Sequence, residues 1–68
     1  MKIQLNNRPE TIEGADKLTV SQLLELKNFT YKMLLIKVND KTIKKDDYET
    51  TEIKDGDNVA VIHLMTGG

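Results

Sequence analysis

The chain has 68 residues, with ten basic and eleven acidic side chains, one histidine and no cysteine. This length allows one domain, because domains typically contain about 50–200 residues. A net charge of −1, with both signs interleaved along the chain, argues against nucleic acid as the main partner. The lack of cysteine excludes disulfides, thiolate metal ligands and a cysteine nucleophile. A single histidine leaves little for acid–base pairs or histidine metal sites. We therefore expect no bound cofactor, no metal and no unaided enzyme activity.

Apolar runs in the chain are short, reaching four residues at 33–36 and 59–62. No segment is therefore expected to span a membrane. Residues 1–4 lack the apolar region of a signal peptide. We expect a cytoplasmic protein without membrane contacts.

The first predicted elements form a hairpin. Ile3 and Leu5 alternate with polar residues, which is typical of a half-buried strand. A turn is predicted at 7–8. Pro9 cannot donate a backbone hydrogen bond, so it fits the first position of a returning edge strand, which Ile12 anchors to the core.

A helix is predicted to begin after Thr19. Gln22 follows three residues later, as in a capping box, and Leu18 with Leu23 could form a hydrophobic staple. The helix should have about two to three turns and end near Asn28. Its expected buried residues are Val20, Leu23 and Leu24. The connection over 28–32 carries no pattern that predicts its shape.

Two further strands are predicted over residues 33–43 from an alternating pattern. One face carries Leu34, Ile36 and Val38, and the other carries Met33, Leu35 and Lys37. A turn is predicted at 39–41, followed by a short strand at 42–43. Residues 44–48 should form a single helical turn or a loop, with Tyr48 contacting the core.

The last strand is the most strongly predicted one. Residues 51–53 lead into an Asp-Gly turn of hairpin type at 54–57, and the strand occupies 58–64. If Val59 and Val61 face the helix, Ala60, Ile62 and Leu64 point outward, because strand neighbours alternate sides.

An apolar outer face of this kind predicts a partner-docking surface, since a small soluble domain rarely exposes clustered apolar residues. The predicted docking residues are Leu35, Lys37, Ala60, Ile62, Leu64 and Met65. Met65 fits equally well with simple packing at the end of the strand.

The other polar residues that could be functional are predicted to have structural roles. His63 is predicted to be a packed or partly exposed structural residue near the end of the last strand. The Lys44-Lys45 pair precedes two aspartates and is typical of a solvated mixed-charge loop. The Asp-Gly-Asp sequence at 55–57 predicts a turn rather than a metal loop.

The order of elements predicts an α+β fold. A hairpin, one crossover helix and later strands form a mixed sheet of four to five strands, with the main helix packed on one face. Strand 33–38 should not lie beside the second strand if the last strand fills the centre. This is the β-grasp, or ubiquitin-like, layout.

Several segments then resemble one family of ubiquitin-like proteins. They are Leu-Thr-Val-Ser-Gln-Leu-Leu-Glu at 18–25, Ile-Lys-Val-Asn at 36–39, Asp-Gly-Asp at 55–57 and the final Gly67-Gly68. Over essentially all 68 residues the chain resembles the ThiS sulfur carriers of thiamine biosynthesis. It departs from them at 44–48, where the family often has a proline–arginine run and a tryptophan, and at 28–32.

The chemistry of a terminal glycine can be argued from the residues themselves. A carboxylate is a poor acyl donor until ATP converts it to an acyl adenylate, from which a sulfur nucleophile displaces AMP to leave a thiocarboxylate. Glycine has no Cβ, so Gly67 and Gly68 suit a tail that enters a narrow site on another protein. We expect one domain over 1–68, with 65–68 as a flexible tail and Gly68 as the reactive residue.

The resemblance implies the partners. A ThiF-like adenylyltransferase would use ATP to activate Gly68, a cysteine desulfurase relay would supply sulfur, and a ThiG-like thiazole synthase would receive it. Gly68 would pass through a glycyl adenylate to 1-thioglycine.

Three alternatives remain at this point. The small subunit of molybdopterin synthase shares the terminal chemistry but is usually longer, with a Phe-Pro-rich run where this chain has residues 63–66. A ubiquitin-like modifier would end in an isopeptide bond, and a plain β-grasp interaction module would have an inert tail.

Overall fold

The structure is a computed structural model that describes residues 1–29 and 33–64. Part of the connection at 28–32 and all of the predicted tail at 65–68 lie outside these residues. The strands are β1 Lys2–Leu5, β2 Arg8–Thr11, β3 Lys17–Thr19, β4 Leu34–Val38, β5 Lys41–Ile43, β6 Glu52–Lys54 and β7 Asn58–His63. Helix α1 is Val20–Leu26, and a 3-10 turn occupies Lys45–Asp47. No helix in the described ranges is long and apolar enough to cross a membrane.

Five strands form the main sheet, in the order β2-β1-β7-β4-β5. Strand β7 is parallel to β1 and antiparallel to β4. The predicted mixed sheet with one helix, the β-grasp class, is confirmed. Strand β4 is separated from β2 by β1 and β7, as predicted for a last strand that fills the centre.

The first hairpin turns one residue earlier than predicted. Leu5 pairs with Arg8, so the loop is Asn6-Asn7 rather than 7–8. Both asparagines have positive φ, 53° and 65°, which is the backbone of the two-residue turn that matches strand twist. Asparagine tolerates this left-handed region better than most residues, and Arg8 does not. Pro9 is consequently the second residue of edge strand β2 instead of the first.

The hairpin between β4 and β5 uses the same kind of turn. Val38 pairs with Lys41, so the turn contains Asn39 and Asp40, with φ of 50° and 68°. The predicted turn at 39–41 is therefore one residue too long, and Lys41 belongs to β5.

A second, two-stranded sheet of β3 and β6 was not predicted as such. Leu18 pairs with Ile53 across it, and Ile53 is fully buried. The turn at 54–57 is present, with Asp57 N–H donating to the Lys54 carbonyl at 3.0 Å and Gly56 at φ 88°. It is not a hairpin turn, because β6 pairs with β3 while β7 lies in the main sheet.

The core lies between the main sheet, the helix and the small sheet. Its buried residues are Ile3, Leu5, Ile12, Val20, Leu23, Ile36, Val38, Ile43, Ile53, Val59 and Val61. The helix contributes Val20 and Leu23, whereas Leu24, predicted to be buried, is half-buried. Tyr48 packs against this core after the 3-10 turn, as predicted.

Four hydrogen bonds fix the start of the helix, three donated by the first N–H groups of the helix and one donated by the N-cap Thr19. Gln22 N–H donates to Thr19 Oγ1 at 3.1 Å, and Thr19 N–H donates to Gln22 Oε1 at 2.9 Å, which confirms the capping box. Val20 N–H and Ser21 N–H donate to carbonyls of Thr51 and Tyr48, both at 2.9 Å. The 48–51 segment therefore satisfies helix donors that no residue within the helix can satisfy.

The helix ends in a left-handed residue. Asn28 has φ 57°, its N–H donates to the Glu25 carbonyl at 3.2 Å, and Phe29 N–H donates to the Leu24 carbonyl at 2.9 Å. This pair of bonds is the Schellman arrangement. The predicted helix end near Asn28 is confirmed, and the helix is seven residues long.

We expect Thr19→Ala to lower the free energy of unfolding by about 0.5–2 kcal/mol, because the Gln22 N–H loses its acceptor. Urea denaturation followed by circular dichroism measures the change. Thr19→Ser keeps the hydroxyl and serves as the control. Equal stability of Thr19→Ala and the unmodified protein would show that the cap contributes nothing.

Candidate functional site

Strand β7 separates its side chains strictly between the two faces of the sheet. Val59 and Val61 are buried, whereas Ala60 is half-buried and Ile62 is 43% exposed. Leu64, which follows the strand, is 42% exposed. The register of β7 with β4 is continuous, so no bulge exchanges the two faces of β7. The predicted outward orientation of this set is confirmed.

Strand β4 places two more predicted residues on the same outer face. Leu35 lies directly opposite Ile62, and Lys37 lies directly opposite Ala60. Residues opposite each other on antiparallel strands have Cβ atoms about 4.5–5.5 Å apart, so their side chains contact one another. The outer face therefore carries a continuous apolar surface across the two strands.

Met33 extends this surface and was not among the predicted docking residues. It is 48% exposed, and its carbonyl accepts a hydrogen bond from Leu64 N–H at 3.0 Å. The alternation through 33–38 already grouped it with Leu35, which is the signal that could have included it. We name Met33, Leu35, Ala60, Ile62 and Leu64 the outer-face patch.

Lys37 supplies a positive charge beside the patch. It is half-buried between Ala60 of β7 and Thr42 of β5, its two neighbours in register. A lysine in such a position lays its methylene chain along apolar surface and keeps its ammonium group in water. The patch thus combines an apolar centre with a cation at one side.

The remaining predicted site residues, Met65, Gly67 and Gly68, lie outside the described residues. Covalent geometry still limits where the terminal carboxyl can be. Four residues separate it from Leu64, and an extended chain spans at most about 3.6 Å per residue, or roughly 14 Å in total. A partner that processes the terminus must therefore have its reactive site close to any surface that holds the patch.

The Asp-Gly-Asp turn uses its carboxylates for structure. Asp55 Oδ1 accepts from Lys2 N–H at 2.7 Å. Asp57 accepts from Asn39 Nδ2 at 3.1 Å and from Lys54 N–H at 2.8 Å. Across residues 1–29 and 33–64, no group of three His, Cys, Asp or Glu side chains could hold a metal ion.

Two other polar candidates are exposed. His63 ends β7 opposite Leu34 and is exposed, despite its place in the alternation with the buried valines. Lys44 and Lys45 are exposed at the start of the 3-10 turn, beside Asp46 and Asp47.

Comparisons with known proteins agree on one family. A model described as the ThiS family matches residues 3–68. The chain is similar to the crystal structure of the thiamine biosynthesis protein (ThiS) from Geobacter metallireducens, with a TM-score of 0.88, 32% sequence identity and complete coverage of both chains. It is also similar to the solution NMR structure of a thiamine biosynthesis protein from Geobacter metallireducens. That match has a TM-score of 0.79, 32% identity, and coverage of 100% of this chain and 88% of the other.

The two faces of β7 predict opposite effects for the same substitution at neighbouring positions. Val61→Asp places a carboxylate at a site that is 8% exposed. We expect this variant to unfold, because burying an unpaired carboxylate costs several kcal/mol, which approaches the whole free energy of unfolding of a small domain. Ile62→Asp is expected to change the unfolding free energy by about 1 kcal/mol or less. Circular dichroism during urea denaturation distinguishes them. A folded Val61→Asp with an unfolded Ile62→Asp would contradict the assignment of faces.

Proposed function

Because the chain belongs to the ThiS family, we propose that it is a sulfur carrier of thiamine biosynthesis whose Gly68 carboxylate is the group that receives and delivers sulfur. The observation that carries the proposal is the extent of the family match, which includes Gly67 and Gly68. The carrier is a substrate of other enzymes and performs no catalysis itself.

Activation begins with attack of a Gly68 carboxylate oxygen on the α-phosphorus of ATP. Pyrophosphate leaves, and the product is a glycyl adenylate. The ATP site belongs to a ThiF-like adenylyltransferase. The described residues of this chain carry neither a metal-binding group nor a phosphate loop for this step.

Sulfur transfer then breaks the mixed anhydride bond between the Gly68 carbonyl carbon and AMP. The terminal sulfur of a persulfide, supplied by a cysteine desulfurase relay, attacks the carbonyl carbon of Gly68, and AMP leaves. A second thiol cleaves the resulting S–S bond and is itself oxidised into a disulfide. Gly68 is left as a thiocarboxylate, 1-thioglycine. The chain has no cysteine, so both thiols belong to partner proteins.

Delivery requires a second partner, a ThiG-like thiazole synthase, which takes the sulfur and regenerates the carboxylate. A carrier that visits different enzymes benefits from one docking surface close to its reactive end. The outer-face patch with Lys37 has this position, since Leu64 immediately precedes the tail. An exposed apolar centre is the type of surface that contributes most to protein–protein binding.

We expect the addition of one residue after Gly68 to abolish ATP–pyrophosphate exchange by the activating enzyme. The extension moves the free carboxylate away from the glycine, while the patch is unchanged. The extended protein should therefore still bind and compete with the unmodified carrier. Gly67→Ala, which keeps the terminal carboxylate, is the matched control and should retain part of the exchange. Normal exchange by the extended protein would rule out Gly68 as the acyl site.

We expect Ile62→Asp to raise the KM for the carrier in the same exchange assay by about tenfold, because a carboxylate in an apolar contact loses hydration without gaining a partner. Thr11→Asp is the control. It adds the same charge to exposed edge strand β2, two strands away from β7. An unchanged KM for a folded Ile62→Asp would show that the activating enzyme does not bind the outer-face patch.

A further inference from the structure

The Asp55–Gly56 sequence is the part of the chain most disposed to spontaneous chemical change. An aspartate followed by glycine forms a succinimide more readily than an aspartate followed by a larger residue, because glycine has no Cβ to obstruct the approach of its nitrogen to the side-chain carboxyl. No other Asp or Asn of the sequence precedes a glycine. Both residues of the pair are exposed, so packing does not shield them from water.

Strand β1 holds both groups that would react. Gly56 N–H donates to the Lys2 carbonyl at 2.8 Å, and Asp55 Oδ1 accepts from Lys2 N–H at 2.7 Å. The nucleophilic nitrogen and the carboxylate are thus bound to the two backbone groups of a single residue. Ring closure consumes the proton that makes the first bond and removes the free carboxylate that makes the second. Both bonds therefore oppose the reaction for as long as β1 is in place.

The β1–β2 hairpin is attached to the rest of the sheet over a short length. Gln4 and Leu5 are the residues of β1 that pair with β7, whereas β4 pairs with β7 along its whole length. Asn6 in the hairpin turn adds two bonds, since its N–H donates to the Val59 carbonyl at 2.9 Å and its Oδ1 accepts from Val61 N–H at 2.8 Å. Units with fewer bonds to their neighbours open more often than the rest of a protein. The hairpin is therefore the unit whose opening releases the pair.

We propose that Asp55 is a site of spontaneous isoaspartate formation and that opening of the β1–β2 hairpin sets its rate. In the first step the Gly56 nitrogen bonds to Cγ of Asp55, the nitrogen loses its proton, and one carboxyl oxygen leaves as water. In the second step water opens the ring. Cleavage between the nitrogen and Cγ restores aspartate, and cleavage between the nitrogen and the backbone carbonyl carbon leaves isoaspartate.

The isoaspartate product no longer matches the bonds of the fold. The main chain then runs through Cγ of residue 55 and is longer by one carbon atom, and the former backbone carbonyl carbon becomes a free carboxylate. Gly56 N–H is displaced from the Lys2 carbonyl, and Lys2 N–H loses its acceptor. The modification thus loosens the hairpin that had suppressed it. This chemistry involves neither ATP nor a partner protein, so it is independent of the proposed function.

Incubation in heavy-oxygen water at neutral pH tests the site. Each passage through the succinimide leaves one heavy oxygen atom on residue 55, and mass spectrometry with electron-transfer fragmentation locates this label and distinguishes isoaspartate from aspartate. We expect the protein unfolded in guanidinium chloride to acquire the label at Asp55 about tenfold faster than the folded protein, or more, as two net hydrogen bonds imply. Asp55→Glu is the control, because its longer side chain forms the corresponding ring far more slowly. Equal rates in the folded and unfolded protein, or faster labelling at another aspartate, would overturn the proposal.

Two matched variants test the part played by the hairpin. Ile3 on β1 and Ile36 on β4 are 1% and 0% exposed, and replacement by valine removes one methyl group from either. In the folded protein we expect Ile3→Val to speed the labelling of Asp55 roughly two- to tenfold, with Ile36→Val close to the unmodified rate. The Gly56 amide should exchange its hydrogen faster in Ile3→Val by a similar factor. Equal acceleration in the two variants would mean that global unfolding releases the pair, and it would overturn the role of the hairpin. Faster Gly56 exchange without faster labelling would do the same.

Discussion

Strand β7 must satisfy two requirements at once, and the rest of the molecule is arranged around it. It lies in the centre of the main sheet, between β1 and β4, so its buried valines fill the core while its even-numbered residues form the exposed face. It also leads directly to the last residues of the chain. Because side chains alternate strictly along a strand, one register fixes both the core and the outer-face patch. A slip of one residue would expose Val61 and bury Ile62.

A small domain suits a carrier because the carrier supplies a position for chemistry that its partners perform. In the proposed function, bond formation at the terminus needs ATP, sulfur and thiols, and a chain without cysteine supplies no thiol. What the domain itself can supply is a folded surface within about 14 Å of the Gly68 carboxyl, which we propose as the reactive group.

The elements that could be predicted from sequence were those with local signals. The capping box at Thr19, the alternation in β4 and β7 and the 3-10 turn before Tyr48 each depend on residues close together in the chain, and each was found. The turn at 6–7 was misplaced by one residue because Asn6, Asn7 and Arg8 are all polar, and only the pairing of Leu5 with Arg8 decides the loop. Strands β3 and β6 are three residues each and pair across 33 or more positions, so no local pattern reveals them.

In the candidate site, too, the features with local sequence signals could be predicted and those that depend on long-range pairing could not. The outer-face residues on β7 and β4 were predictable from period-two alternation, although the register that sets Leu35 against Ile62 required the structure. The hydrogen bond from Val61 N–H to Asn6 Oδ1 spans 55 positions and has no sequence signature beyond an asparagine in a turn.

The central claim is that Gly68 carries sulfur as a thiocarboxylate. Intact-mass analysis of the protein purified from its own cells, followed by fragmentation of the C-terminal peptide, tests it most directly. We expect a population heavier by the difference between one sulfur and one oxygen atom, with the added mass located on Gly68. A terminus that remains an ordinary carboxylate in cells actively making thiamine, and after incubation with the activating enzyme, ATP and a sulfur donor, would contradict it.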